Sequence, residues 1–317
     1  MKYLYRISAL SFTVFFLFNF AFSQGNSFAK KDKKKSEVKI NVLVTDTSDY
    51  FVNDIKQEDV KLFEDGIEQK ITKFEKKMPL NLGIIVDNSA SMRTGLKEVY
   101  MAGATLVKNL FPGDEAFIIR FVNSDIIEIL EDWTSDKNAL LKNFENMYIE
   151  GGQSAVVDAL YLSSEKILER AKKDSSKRYA LVLISDGEER DSFYKLKDVS
   201  KLLDGSDVQV FSIALIRSEM PEVSRLKSKS LIKQITLQTE GAYFFPKKFK
   251  KEKGQENQLF IALKSVVFEL RSQYLVSYSP TNKDFGVEKR KIKVVIADGA
   301  KGEKRQGKVR ENFTAPN

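Results

Sequence analysis

The 317-residue chain contains no cysteine and no histidine. Without Cys there are no disulfides and no thiol nucleophiles, so stability must come from buried cores and, where one binds, an ion. Without His, the commonest general base and a usual ligand of soft metals are missing as well, which argues against most hydrolase mechanisms. A full-length membrane span is also lacking. The longest apolar run, from Ile7 to Phe22, falls short of the roughly 20 residues that cross a bilayer. The net charge of +8 is not interleaved with aromatic residues, so the pattern of a nucleic-acid-binding surface is missing too.

What stands at the N-terminus reads as an export signal. Lys2 and Arg6 supply the positive start, Leu10 and Val14–Phe18 the apolar middle, and Ala21-Phe-Ser23 the small residues that precede cleavage. Residues 1–23 are thus expected to be removed, leaving a charge of +6 and no stable membrane span. The expected location is exported: periplasm, cell surface or secreted. Residues 24–35, with Lys30-Lys-Asp-Lys-Lys-Lys35, read as a solvated basic linker, and Lys247 to Lys253 as an exposed basic loop.

The central part alternates strand and helix signals, as a doubly wound, mostly parallel α/β sheet does. Strands are expected at Ile84–Val86, Ala116–Val122, Ala180–Ile184, Val208–Ile216 and Tyr243–Phe245, with an antiparallel edge strand at Ile126–Leu130. Helices are expected at Lys97–Leu110, Ala155–Arg170 and Leu231–Thr239. A further helix should bury one face made of Leu259, Phe260, Leu263, Val266, Val267 and Leu270.

Residues 36–78 and 272–317 instead read as β structure. Val38, Ile40, Val42 and Val44 alternate with less apolar neighbours. Val60–Phe63 and Ile67–Phe74 flank Glu64-Asp65-Gly66, a hairpin signal. Tyr274–Tyr278 and Arg290–Ile296 alternate likewise. Neither piece is large enough for a core of its own. The simplest architecture is one small β-sandwich built from both, with the α/β unit of residues 79–271 inserted between them.

Two apolar strands of the central unit end in oxygen-bearing side chains. Ile84-Ile-Val86 runs into Asp87, Ser89 and Ser91, and Ala180–Ile184 runs into Ser185-Asp186-Gly187. Between them, Gly151-Gly-Gln-Ser154 opens the helix that carries Asp158-Ala-Leu160. Ligands of open α/β sheets bind at the carboxyl ends of strands, and a set of hard oxygens suits Mg²⁺, Mn²⁺ or Ca²⁺. Capping and turn preferences alone also place Ser, Asp and Gly at such positions.

These three motifs, in this order, resemble the von Willebrand factor type A domain and its metal-ion-dependent adhesion site. The family pattern is Asp-x-Ser-x-Ser, then Thr, then Asp before Gly. Asp87, Ser89, Ser91 and Asp186 match it, and Ser154 stands where the family has Thr. The flanks resemble a bacterial type-A-related family, through Val42-Leu-Val-Thr-Asp46, Phe63-Glu-Asp-Gly-Ile-Glu-Gln69 and Tyr274-Leu-Val-Ser-Tyr278-Ser-Pro280.

The resemblance implies a divalent cation, Mg²⁺ first with Mn²⁺ or Ca²⁺ as alternatives, held by Asp87, Ser89, Ser91, Ser154 and Asp186. It also implies an open coordination position for an Asp or Glu carboxylate of a protein partner. On this reading the chain is an exported, non-enzymatic, adhesion-type module without catalytic residues. The alternative is a structural or envelope-assembly protein with a vestigial site.

Catalytic patterns are weak beside this. A phosphate-accepting Asp of the haloacid-dehalogenase type wants a second Asp where Ser89 stands. Ser-x-x-Lys occurs at Ser163, Ser192, Ser224 and Ser230, too often to be informative. Glu188 and Glu189 read as solvated acids at a helix start.

Overall fold

A computed structural model of the chain describes residues 37–76, 78–246, 258–284 and 289–314. The expected leader (1–23), the basic linker (24–35) and the basic loop 247–253 lie outside the described residues. The N-terminal elements are β1 (Val38–Asp46), β2 (Val60–Glu64), β3 (Ile67–Gln69) and β4 (Ile71–Glu75). The central unit follows as β5 (Leu80–Asp87), α1 (Leu96–Lys108), β6 (Glu115–Asn123), β7 (Ile126–Thr134), α2 (Lys137–Glu145), α3 (Val156–Lys173), β8 (Arg178–Ser185), α4 (Leu196–Leu203), β9 (Gln209–Ala214), α5 (Glu222–Leu237), β10 (Tyr243–Phe244) and α6 (Gln258–Ser272). The chain closes with β11 (Tyr274–Tyr278), β12 (Lys289–Ile296), β13 (Arg305–Lys308) and β14 (Asn312–Thr314).

The central sheet has the order β10-β9-β8-β5-β6-β7. All pairings are parallel except β6–β7. Every residue of β5 and β8 is buried, because helices cover both faces of the sheet. On one face Leu82, Ile84 and Val86 of β5 pack with Val99 and Leu106 of α1, Leu140 and Phe144 of α2, and Leu263 and Val266 of α6. On the other, Ile85 packs with Val156 and Leu160 of α3, Val199 of α4 and Ile235 of α5. Gly103 lets α1 and α2 approach closely, since a Cβ there would lie 2.1 Å from the Phe144 ring.

The flanking strands interleave. One sheet has the order β13-β1-β11-β4 and the other β14-β12-β2-β3. Each therefore contains strands from both ends of the chain. Their inward faces share one core of Val38, Ile40, Val42, Leu62, Tyr274, Val276, Ile292 and Val294, which makes the two sheets a sandwich. Arg178, at the start of β8, links sandwich and central unit: it donates to Asn41 Oδ1 of β1 at 3.2 Å and to Gln273 Oε1 at 2.8 Å.

Several elements differ from the sequence reading. Ile67–Phe74 is two strands, not one. The chain crosses from one sheet to the other at Lys70, and buried Gln69 fixes the corner by exchanging hydrogen bonds with Thr281, each 3.0 Å. The helix expected at Leu231–Thr239 starts nine residues earlier, just after Pro221, because its first turns are polar and carry no apolar period. Phe260 is not on the buried face of α6. It is 40% exposed, while Leu259, Leu263, Val266 and Leu270 face the core. The helices α2 and α4 and the strands β13 and β14 have no counterpart in that reading.

Candidate metal centre

The five residues singled out in sequence come from three loops at the carboxyl edge of the central sheet. β5 and β8 are parallel neighbours, with Val86 opposite Ile184, so Asp87 and Ser185-Asp186 emerge side by side. The third loop is turned inward by Gly151 and Gly152, at φ 111° and 83°, values that residues with a Cβ rarely adopt. It is tied to the first loop by Ala90 N donating to Gly152 O at 3.3 Å. The turn brings Ser154 Oγ to Asp87 Oδ2, to which it donates at 3.2 Å.

Asp87 is held on both sides. Its Oδ1 accepts from Ser89 N at 3.0 Å, and its Oδ2 also accepts from Ser185 Oγ at 2.6 Å. Ser185 in turn accepts from Gly187 N at 2.8 Å. Ser185 lies outside the sequence motif; its place beside Asp186 at a strand end is the signal for it. Ser89 Oγ and Ser91 Oγ lie 3.1 Å apart and share a hydrogen bond. Asp186 Oδ1 accepts from Glu188 N at 3.0 Å. Its Oδ2 is buried and has no well-formed hydrogen bond among the described residues.

Asp87, Ser89, Ser154 and Asp186 are all at most 3% exposed. Burial pushes the Asp87 carboxyl up to about 7, and the nearby Asp186 charge adds to the rise. Asp186 is itself raised, again first by burial, although the Glu188 N–H, the Ser91 hydroxyl and the Arg217 charge oppose that. Two buried acids that repel each other form a site where added positive charge is favoured. Among the described residues no three carboxylates converge, so the donors here are two carboxylates and a set of hydroxyls. All are hard oxygens and fit a Mg²⁺-type ion better than a thiophilic one.

The neighbouring acids have other tasks. Glu189 is not a solvated helix-start residue: its Oε2 accepts from Val157 N at 2.9 Å and from Ser192 Oγ at 2.8 Å, so it caps α3 from outside. Glu188 pairs with Arg190 at 2.8 Å. Asp158 is buried and anchors the loop after β8, accepting from Phe193 N and Tyr194 N at 2.9 and 2.8 Å.

No curated protein sequence matches the chain. Among solved structures it is similar to an aerotolerance-related membrane protein from Bacteroides fragilis NCTC 9343, at 19% identity and a TM-score of 0.45 over 60% of this chain and 98% of that one. BatB, a conserved hypothetical protein from Bacteroides thetaiotaomicron, matches at 18% identity and a TM-score of 0.44 over 60% and 97%. Proximal thread matrix protein 1 from the mussel byssus matches at 16% and 0.47, over 62% of this chain and 48% of that one. The family model of the von Willebrand factor type A domain, in general a non-enzymatic interaction module, matches residues 81–258, more than half of the chain. The chain belongs to the von Willebrand factor type A domain family.

Proposed function

We propose that the protein is an exported, non-enzymatic binding module that captures an Asp or Glu carboxylate of a protein partner at a divalent-cation site. Asp87, Ser89, Ser91, Ser154 and Asp186 would hold the cation, Mg²⁺ first. The observation that carries this reading is the pair of buried, mutually repelling carboxylates, with no cationic side chain hydrogen-bonded to them and no well-formed hydrogen bond to Asp186 Oδ2 among the described residues. A buried anion without compensation is costly, and a bound cation removes that cost. When bound, it would supply the positive focus that an anionic ligand seeks.

The chain's own groups prepare the site. Ser185 and Ser89 N orient Asp87, and the double-glycine turn delivers Ser154. Export rests on the leader-like sequence Lys2–Ser23. Among the described residues no helix is long and apolar enough to cross a membrane.

A structural role with a vestigial site is the second reading. Its support is that Ser154 and Ser185 both donate to Asp87, while Ser89 and Ser91 bond to each other.

Thermal melts separate the two readings. A ligand of the native state at a hundredfold excess over Kd stabilises it by about 2.7 kcal/mol. Wild type should therefore melt higher in Mg²⁺ or Mn²⁺ than in chelator, and Asp186→Ala should not. The absence of any shift across millimolar metal would leave the vestigial site ahead. A pulldown from cell envelope, with Mg²⁺ against chelator, then identifies the partner.

A further inference from the structure

The strand next to Asp186 sends an arginine to the rim of the site. Leu215 N donates to Ser185 O at 2.8 Å, so the chain leaves β9 alongside the residue preceding Asp186. Two residues on, Arg217 Nη1 donates to Thr94 Oγ1 at 3.2 Å. Thr94 lies three residues past Ser91, in the turn after β5. The guanidinium thus ties the loop after β9 to the turn that follows Ser91, and its charge reaches Asp186. That exposed hydroxyl is a weak partner for it, and Arg217 Nε is buried without a hydrogen-bond partner among the described residues. A strut joining two loops needs no fork of five donors. A receptor for a planar anion does.

Charge points the same way. Asp87 and Asp186 only balance a divalent cation, and Glu188 is paired with Arg190. Arg217 therefore leaves the loaded site with a surplus positive charge, and the field of that surplus favours an anion over a neutral ligand.

We propose that Arg217 is a second anchor for the partner: its guanidinium takes a carboxylate oxygen beside the cation position, and so makes the site select carboxylates over neutral oxygen ligands. This rests on the metal-site reading above. It assigns partner selectivity to a residue outside the five ligands, on the loop after β9.

The test uses the full chain loaded with Mn²⁺ and fluoroacetate as the probe, its binding read from ¹⁹F relaxation. Neutral fluoroacetamide is the control. Mn²⁺ affinity is measured separately by electron paramagnetic resonance, and folding by thermal melts in chelator. Arg217→Gln should hold Mn²⁺ as well as wild type or tighter, since a neighbouring cation is gone, yet bind fluoroacetate about tenfold more weakly or worse, the scale of one charge-assisted hydrogen bond. Arg217→Lys should recover part of the loss. Thr94→Val keeps the guanidinium and removes only its hydroxyl partner, so it should bind fluoroacetate as tightly as wild type or tighter. Wild-type fluoroacetate affinity in Mn²⁺-loaded Arg217→Gln, or equal binding of fluoroacetamide and fluoroacetate by wild type, would overturn the proposal while leaving the metal site intact. Failure of wild type to bind Mn²⁺ would remove the metal site and this anchor together.

Discussion

Glu64 in the sandwich and Asp87 at the end of β5 are both almost fully buried, at 2% and 0% exposure, but their surroundings differ. Glu64 Oε1 accepts from Arg290 Nη1 at 2.8 Å, and its Oε2 accepts from the Tyr278 hydroxyl at 2.5 Å. Arg290 also donates to the carbonyls of Asn282 and Asp284, at 3.3 and 2.7 Å. The Tyr278 phenol is held well above its usual range, by burial first and by Glu64 second. In this cluster the buried carboxylate meets a buried cation. Asp87 is surrounded by hydroxyls and by a second acid, with no arginine or lysine bonded to it among the described residues. One carboxylate is a fixture that joins strands from the two ends of the chain. The other creates a need for positive charge that something outside the polypeptide can meet.

Breaking the matched pair should have the largest effect. Glu64→Ala breaks the buried Glu64–Arg290 ion pair, and a broken buried pair costs about 3–5 kcal/mol. Denaturant unfolding of the sandwich checks this. The double variant Glu64→Ala, Arg290→Met should recover much of the loss, because a well-packed apolar pair avoids charge burial altogether. If the double variant were no more stable than the single one, the matched-charge account of the sandwich would fail.

The acids of the metal site should respond in the opposite sense. Asp87 has a folded-state pKa of about 7, above its ordinary 3.8. In chelator its contribution to stability is therefore fully present below about pH 4 and is lost as pH rises through 7. Asp87→Asn removes that loss. It should stabilise the metal-free protein by about 2–4 kcal/mol at pH 8, and by nothing measurable near pH 4. Burial raises Glu240 to about 8 and Glu269 to about 7 as well, but both are present in wild type and variant alike, so they cancel in the difference. In Mg²⁺ the order should reverse, with wild type melting above Asp87→Asn. Equal pH profiles of the two proteins in chelator would show that Asp87 is not the strained acid.

The smallest expected effect sharpens the division of labour inside the site. Ser154→Ala should weaken metal binding less than Asp186→Ala does, since a water can replace one neutral hydroxyl but not a charge. The accompanying loss of folding stability should be about 1 kcal/mol, the scale of one hydrogen bond. Calorimetric titration with Mn²⁺ and a melt in chelator measure the two quantities on the same sample.

Much of this was legible in the sequence because it lies in local pattern. Unbroken apolar runs such as Ala180–Ile184 identify strands covered on both faces, and alternation in Arg290–Ile296 identifies a strand with one wet face; the alternation of Val38–Val44 identifies the strand but not its covered second face, where Leu43 is buried. The order of Asp87, Ser89, Ser91, Ser154 and Asp186 identified the loops that meet. Short polar edge strands were not legible. In β13, Arg305–Lys308, the two more buried residues are Arg305 and Gly307, so there is no apolar period to find. Partners far apart in sequence were equally hidden: nothing local announces that Glu64 will meet Arg290, or that Glu189 will cap α3.

By itself, then, the sequence determined the apolar strands and helices of the core and which oxygens arrive at one edge of the sheet, since both follow from hydrophobic period and from turn chemistry within a few residues. Only the tertiary structure decided which of the buried charges are matched. Lys70 turns the chain from one sheet into the other, strands 200 residues apart become neighbours, and Glu64 gains an arginine while Asp87 gains Ser185 and the repulsion of Asp186. That outcome depends on through-space distance in a low-dielectric interior, a quantity that no local stretch of sequence contains.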